Sequence, residues 1–337
     1  MSQLKTYIIS LLIIIGSLLY SFDYNAQIYK LDLDSLWNIV RSDNQEDTLK
    51  VQALSKIASQ YFNTFPDSTV FFLNQSINLS KSIGYIKGEA RGHMNLGAIA
   101  SIQGNTSLAA EHTMKALERI EQTDDSVFNI QILTNLAALM QSIGEDDKGL
   151  EYASQAYELA RLSDNITPQI NTLSTVASFK ASKGECEEAI KDYKLCLRTA
   201  EEHNIFGSEY YYTVAGLASC YEEIYHNYDS TIVWYDKMNA ARELLNSSNI
   251  DISYYKEKAQ NALKYGKIEE AEALADSTLV YALKIQAKNS IADYYFLKAD
   301  IDEEKGFFKS AYSNYKKAKA YQDTLKDEKK EKTLLDL

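Results

Sequence analysis

Residues that interrupt helices are scarce in this sequence. Its 337 residues include only 2 prolines, Pro66 and Pro168, and 13 glycines. Because proline and glycine are the residues least compatible with helix interiors, their scarcity predicts a chain that is helical throughout. A hydrophobic content of 45% supplies enough apolar surface for a core and excludes a long disordered polymer.

Cysteine and positive charge are also in short supply. The three cysteines are Cys186, Cys196 and Cys220, and none belongs to a C-x-x-C pair, so a disulfide framework is excluded. There are 35 basic and 47 acidic residues, which give a net charge of −12. Since this surface repels phosphate on average, nucleic acid is not an expected partner of this segment.

The amino-terminal residues 1–26 have the pattern of a secretory signal peptide. Lys5 precedes an apolar run of 12 residues from Ile8 to Leu19, which fits a signal h-region and is too short to cross a bilayer. We expect cleavage near Ala26 and an exported product, periplasmic or secreted. An uncleaved membrane anchor is the alternative. No cysteine follows the apolar run, so attachment of a lipid to an amino-terminal cysteine is excluded.

The rest of the sequence repeats with a period of about 40 residues. Small residues recur at intervals of 39, 40, 40, 41, 41 and 40, and a second series recurs at intervals of 40, 40, 40, 42, 40 and 40. Such periods indicate a stack of similar structural units. The first series is Ala58, Gly97, Ala137, Ala177, Ala218, Ala259 and Ala299; the second is Thr69, Ala109, Gly149, Ala189, Thr231, Ala271 and Ala311.

Five residues before the second small residue, most units carry a glycine. These glycines are Gly104, Gly144, Gly184, Gly266 and Gly306. A glycine in this place predicts a tight turn between two helices, here called helix A and helix B of each unit. Small residues are expected where the two helices approach each other closely.

This arrangement resembles the tetratricopeptide repeat, a helical hairpin of 34 residues with small residues at fixed places. The resemblance covers about residues 50–325 and implies an all-α, right-handed superhelical solenoid of about seven hairpins. Departures from the family pattern are the longer period, the absence of a turn glycine in the first and fifth units, and Lys180 and Asp302 at places where an aromatic residue is usual. The exported repeats resemble the extracytoplasmic regions of sensor regulators in Gram-negative bacteria.

The expected organisation has four parts. Residues 1–26 are the signal peptide, 27–49 an amino-terminal capping region, 50–325 the repeats, and 326–337 a charged helical tail. The tail is either a polar cap on the last unit or the first turns of a truncated coiled coil.

We find no pattern of residues that predicts catalysis, a metal or a cofactor. The four histidines have no helical i, i+4 pairing, so they are interpreted as residues of the helix surface. Cys196 and Cys220 are expected in the core. Cys186 is expected to be unreactive, with a reactive thiol or a bond to Cys196 as lesser alternatives. The glycines at 84, 88 and 92 are interpreted as a connection between units.

In the resembled family, helix A lines a concave groove. Amides dominate the residues that this implies for the groove, and amides can pair with the main chain of an extended peptide. No lysine stands beside them, so a ligand with a terminal carboxylate is not favoured. The candidates are Arg91, Met94, Asn95, Gln131, Asn135, Gln141, Asn171, Ser174 and, farther along the same face, Tyr212.

These observations predict a non-catalytic exported scaffold that binds protein or peptide in its groove. The alternative is a sensory input domain of a membrane-bound signalling or transcriptional regulator, of which this chain is a part. Contact with a membrane is expected only through an uncleaved leader or a further carboxy-terminal span. The sequence does not predict the oligomeric state.

Overall fold

The computed structural model describes residues 33–43, 45–61, 66–102 and 105–335. Within these ranges the chain forms 15 α-helices and no β-strand, and this confirms the prediction of an all-α helical repeat fold. The chain divides into two compact units, the first ending at Glu185 and the second beginning at Cys186. The predicted signal peptide lies outside the described residues.

The first unit is a succession of helices that pack on their neighbours in the chain. After α1, helices A and B alternate, so that α2, α4, α6 and α8 are A helices. Helices α2 and α4 also touch, as do α6 and α8. The bounds are α1 Leu33–Arg41, α2 Asp47–Tyr61, α3 Pro66–Ser82, α4 Ile86–Ile102, α5 Thr106–Ile120, α6 Ser126–Ser142, α7 Asp146–Arg161 and α8 Ile166–Ser182.

The second unit continues the alternation, beginning with a B helix. Its helices also pack in chain order, and α12 touches α14 across the intervening α13. The bounds are α9 Cys186–Glu202, α10 Ser208–Tyr225, α11 Tyr228–Leu245, α12 Ser248–Lys264, α13 Ile268–Lys284, α14 Lys288–Glu304 and α15 Phe308–Leu335. The predicted tail from residue 326 onward continues α15 as far as Leu335.

Small residues lie where helices approach each other, as their spacing predicts. A Cβ atom on Gly97 of α4 would lie 2.5 Å from Thr113 Oγ1 of α5. A Cβ atom on Gly149 of α7 would lie 2.4 Å from Cε1 of Phe179 in α8 and 3.2 Å from the carbonyl oxygen of Ala137. These contacts are closer than any side chain permits, so glycine sets the separation of the helices here.

The turn between helices A and B uses a left-handed residue. Gly184 has φ +82°, and the amide of Glu185 donates to the carbonyl of Lys180 at 2.9 Å, which satisfies a carbonyl at the end of α8. In the fifth unit, where the sequence has no turn glycine, His226 takes the left-handed conformation with φ +46°. The turn geometry is therefore kept without glycine, at a cost in backbone strain.

Two of the three glycines interpreted as a connection lie inside a helix instead. Gly84 is in the turn before α4, but Gly88 and Gly92 belong to α4 itself. A Cβ on Gly92 would lie 2.4 Å from Cγ1 of Ile77 in α3. The prediction was wrong for these two residues because their small size serves the contact between helices, and not a loop.

Asp302 replaces the usual aromatic residue with a buried polar network. Its side chain is 4% exposed and accepts hydrogen bonds from Ser310 Oγ at 2.6 Å and Asn314 Nδ2 at 2.9 Å. Lys298 Nζ lies 3.4 Å from its other oxygen. Because a buried carboxylate is tolerated when donors surround it, the last hairpin keeps its packing despite the departure from the family pattern.

We expect Gly149→Ala to destabilise the protein by about 1 to 3 kcal/mol, because the new methyl group overlaps the buried Phe179 ring. In a Phe179→Leu background the same change should be nearly neutral or stabilising, since the smaller side chain leaves room and alanine favours helix. Urea unfolding of the four proteins measures this coupling. A Gly149→Ala protein more stable than wild type would contradict the assigned contact.

Candidate binding groove

The candidate groove residues of the first unit occupy repeated places on the A helices. Asn95 and Asn135 stand two residues before the small residues Gly97 and Ala137, and both are half-buried. Six residues before the small residue of each unit stand Arg91, Gln131 and Asn171, of which the first two are exposed and the third is half-buried. Helical spacing places the two rows on one side of each A helix.

Met94 and Asn135 are brought together at a small cavity. It has a volume of about 20 Å³, which is room for one water molecule. Gly97, which has no side chain, and Ala98 border this space. Helices α4, α5 and α6 all contribute to its wall, which consists of Met94, Gly97, Ala98, Ser101, Ala109, Thr113, Asn135 and Leu139.

Three of the candidates are more deeply placed than a groove surface suggests. Met94 and Gln141 are each 6% exposed and Ser174 is 8% exposed. Met94 packs in a core cluster with Phe128 and Leu136. The expectation that all the candidates project freely into the groove was therefore wrong for these three, because their side chains are almost fully buried.

Gln141 has an unsatisfied donor. Its Nε2 is buried and has no hydrogen-bond partner among the described residues. It lies in α6 on the same stripe as Gln131, Asn135 and Ala138, at helical spacing. An unmade hydrogen bond of this kind costs about 1 to 3 kcal/mol, so an acceptor brought by a ligand would recover free energy.

Arg91 is held at one end of this face. Its guanidinium lies 5.0 Å from the centre of the Phe128 ring, near the start of α6. Asp125 caps the same helix by accepting from the Phe128 amide at 3.0 Å, and it pairs with Lys87. Burial opposes ionisation of Asp125, but the bonds from Lys87 and Phe128 outweigh it and lower the pKa of the carboxyl group.

Tyr212 belongs to the second unit, where it lies in α10. Its ring lies edge-on to that of Tyr211, with centroids 5.4 Å apart. Burial raises the pKa of Tyr212 to about 12, so its hydroxyl stays protonated at neutral pH.

Comparisons with known proteins identify the fold. No family model and no curated protein matches the sequence. A tetratricopeptide repeat protein from Parabacteroides merdae superposes with a TM-score of 0.56 and 18% identity, over 80% of this chain and 93% of that one. The chain has a tetratricopeptide repeat fold.

Two Rap proteins show the same fold similarity. The apo form of RapI has a TM-score of 0.64 at 13% identity, over 82% of this chain and 99% of its own. The Rap conjugation regulator of plasmid pLS20, solved with the Phr* peptide, has a TM-score of 0.59 at 11% identity, over 88% and 95%. At these identities the comparisons establish the tetratricopeptide repeat architecture and nothing about ligands.

A histidine pair was missed from the sequence. His93 of α4 and His112 of α5 lie with their Nδ1 atoms 3.1 Å apart and their rings stacked. His93 is only 7% exposed, so the interpretation of the histidines as helix-surface residues was wrong for His93. Burial, followed by His112 and nearby cations, lowers the pKa of His93 to about 4. The 19-residue separation, roughly half a repeat, was the only signal.

The three cysteines are buried and have free thiols. The thiol that is hydrogen-bonded to that of Cys186 belongs to Cys220 in α10. A hydrogen bond from Cys220 lowers the pKa of Cys186 and raises that of Cys220. Burial raises the pKa of Cys196, in agreement with its predicted packing role.

Two further properties bear on function. In the described part of the chain, no three histidine, cysteine or acidic side chains gather where they could hold a metal ion. None of the described helices combines the length and apolar character that a bilayer crossing requires.

We expect the low pKa of His93 to make the stability of the protein depend on pH. Below about pH 6.5 the unfolded chain binds a proton that folded His93 rejects until about pH 4, so stability is full above this interval and falls through it. We expect a loss of roughly 2 kcal/mol from His93 between about pH 7 and pH 4. His93→Gln should remove this part of the pH dependence in urea unfolding, whereas His203→Gln, at an exposed site, should keep it. Parallel wild-type and His93→Gln curves would contradict the assignment.

Proposed function

We propose that this tetratricopeptide repeat chain is a non-catalytic scaffold that binds an extended protein or peptide segment on the A-helix face of its first unit. The observation that carries the proposal is the buried, unpartnered Nε2 of Gln141 on a stripe that also bears Gln131 and Asn135. A buried donor without a partner lowers the stability of the folded protein, so it does not serve the packing of α6. In the proposed complex the Gln141 amide turns toward the groove, where a ligand carbonyl supplies that partner.

The composition of the stripe favours a peptide main chain over a small molecule. Amides both donate and accept, as peptide groups do, so rows of amides can bond an extended chain without selecting its sequence strongly. Ala98 and Ala138 follow Asn95 and Asn135 by three residues, so the place beside each asparagine carries a small, buried side chain. The cavity near Asn135, at about 20 Å³, holds a water molecule and no larger ligand.

Charge on this face supports neither a terminal carboxylate nor a phosphate as the ligand group. No lysine stands in the rows of candidate residues. The single cation, Arg91, lies over the Phe128 ring. The expected ligand is therefore an internal peptide segment that carries no obligatory negative group.

Proteins of the same fold lend support by analogy. A Rap protein has been solved in complex with the competence and sporulation factor, and the pLS20 Rap regulator with the Phr* peptide. We extend to this chain only the class of ligand, a peptide. The scaffold is proposed to act without a cofactor.

A sensory input domain is the second candidate. Helix α15 has 28 residues, whereas the other helices have 9 to 18, so it extends beyond the length that a hairpin partner can cover. A helix that extends beyond the packed hairpins is suited to transmit a conformational change that ligand binding causes. Slower amide exchange at residues 325–335 when peptide binds the first unit would favour this candidate, and unchanged exchange would favour the plain scaffold.

We propose export as the location, on the basis of residues 1–26. Expressed from the full gene in a Gram-negative host, the chain should accumulate in the periplasm with its new amino terminus near residue 27. Intact mass and amino-terminal sequencing check this. Replacing Leu12 and Ile14 by lysine should retain the full-length chain in the cytoplasm, and a full-length cytoplasmic wild type would contradict the proposal.

The groove is tested with a random peptide library displayed on phage and selected on the full chain. The variant Asn95→Ala, Asn135→Ala, Gln141→Leu should weaken binding of the selected peptides about tenfold or more, because each lost amide bond contributes about 0.5 to 1.5 kcal/mol. Gln155→Ala, an exposed amide on α7, is the matched control and should leave affinity unchanged.

Gln141→Leu gives a second readout that needs no ligand. Removing the unpartnered donor should raise the free energy of unfolding by about 1 kcal/mol while it lowers peptide affinity. Selected peptides that bind the triple variant as tightly as wild type would show that another surface binds them.

A further inference from the structure

The last helix exposes an aromatic face. Phe308, Tyr312 and Tyr315 stand at helical i, i+4, i+7 spacing on α15 and are 68%, 65% and 46% exposed. They belong to the second unit and lie far along the chain from the amide face. Three large rings on one stripe of a helix are typical of a surface that contacts another protein.

Equivalent positions in the earlier B helices show which surface of a repeat these rings occupy. The residue four places after the second small residue of each unit is buried in every earlier B helix, with an exposure of 5% or less. Among the described residues, this place is open only at the seventh occurrence, Tyr315. The series is Leu73, Thr113, Ala153, Tyr193, Tyr235, Ala275 and Tyr315.

In the earlier units, the helix that follows covers this place. Ala275 of α13 packs with Leu297 and Ile301 of α14. Leu73 of α3 packs in the same way with Leu96 and Ile99 of α4. The aromatic face of α15 is therefore equivalent to the face that receives an A helix within the stack.

The charges around this face are reversed at α15. On α13, Glu272 accepts from Lys298 of α14 and from Lys305, the residue after it, and Asp276 accepts from the Tyr294 hydroxyl at 3.1 Å. Forty residues later, Tyr312 and Lys316 stand at the places of Glu272 and Asp276. An acidic receiving face has become a basic and aromatic one, on a chain whose net charge is −12.

The lysines are arranged around the rings. Lys316 Nζ lies 5.5 Å from the centre of the Tyr312 ring, and Lys319 Nζ lies 5.7 Å from that of Tyr315. Neither lysine forms an ion pair with a residue whose side chain the structure describes. Their charges are available to carboxylates from outside the unit.

We propose that this face, Phe308, Tyr312 and Tyr315 with Lys316 and Lys319, binds an acidic amphipathic helix of another protein. The helix packs on the rings as α14 packs on α13, with carboxylates opposite the two lysines. A second copy of the same face is not a suitable occupant, because its lysines would meet lysines. This surface is separate from the amide face of the first unit, so the inference does not depend on the peptide proposal.

The probes are three labelled 18-residue peptides based on residues 288–305, which form α14 and the residue after it. One has the native sequence. The second carries Tyr294→Glu, Lys298→Glu and Lys305→Glu, which place carboxylates on the face that packs against a B helix. The third is a scrambled version of the second and controls for charge alone. Fluorescence anisotropy with the full chain at low salt measures affinity.

The acidic peptide should bind about tenfold or more tightly than its scrambled form and the native peptide. Tyr312→Ser should weaken it about tenfold, whereas Val280→Ser, at a comparably exposed apolar site on α13, should not. Lys316→Glu with Lys319→Glu should reverse the preference toward the native, lysine-bearing peptide. Circular dichroism checks that each variant retains its helix content.

Three results would overturn the proposal. The first is equal affinity for the acidic and scrambled peptides, or no binding of either. The second is a dimer in sedimentation equilibrium that Tyr312→Ser abolishes, which would make a second copy the occupant. The third is cosedimentation with phosphatidylserine vesicles that depends on Tyr312, without binding of the acidic peptide, which would make the face a membrane contact.

Discussion

The close approach of paired helices at small side chains is the constraint on which the structure depends. Gly149 admits the Phe179 ring to a distance that no Cβ allows, and Gly97 does the same for Thr113. No helix of such a stack can bury its apolar face alone, so each gains stability only from the helix beside it. Contacts are consequently concentrated between neighbours in the chain, and each face of a hairpin is either covered by the next or open to a ligand.

The dependence of each helix on its neighbour explains why the two proposed binding surfaces differ in their chemistry. The amide face of the first unit lies on the A helices, and its stripe from Gln131 to Gln141 is polar and nearly uncharged. The aromatic face of α15 is instead a packing surface whose usual partner is another helix. One suits an extended main chain and the other suits a preformed amphipathic element.

Much of the fold could be predicted from the sequence because its signals are local and repeated. The small residues at a period of 40 and the turn glycines at 144, 184, 266 and 306 each recur often enough to average out exceptions. The exceptions themselves needed the structure. His226 in the left-handed conformation and Asp302 among its hydrogen-bond donors each depend on local surroundings. Neither feature recurs with the repeat, so the period does not predict it.

The site was less predictable, for a physical reason. The register placed Asn95 of α4 and Asn135 of α6 at equivalent places, but the burial of Gln141 and Met94 depends on how adjacent hairpins pack. The meeting of His93 with His112 depends likewise on the crossing of α4 and α5. The spacing of residues along one helix predicts which side of the helix they occupy. Which residues meet between two helices depends on how the helices pack.

The neighbour-to-neighbour packing of the helices also has a kinetic consequence. Since almost every contact joins elements close in sequence, the loops that must close during folding are short and the contact order is low, which favours rapid folding. Each hairpin can form as soon as its own two helices are present, without waiting for distant parts of the chain. Such a polypeptide is well suited to acquire its structure progressively from one end, as it leaves a ribosome or a translocation channel.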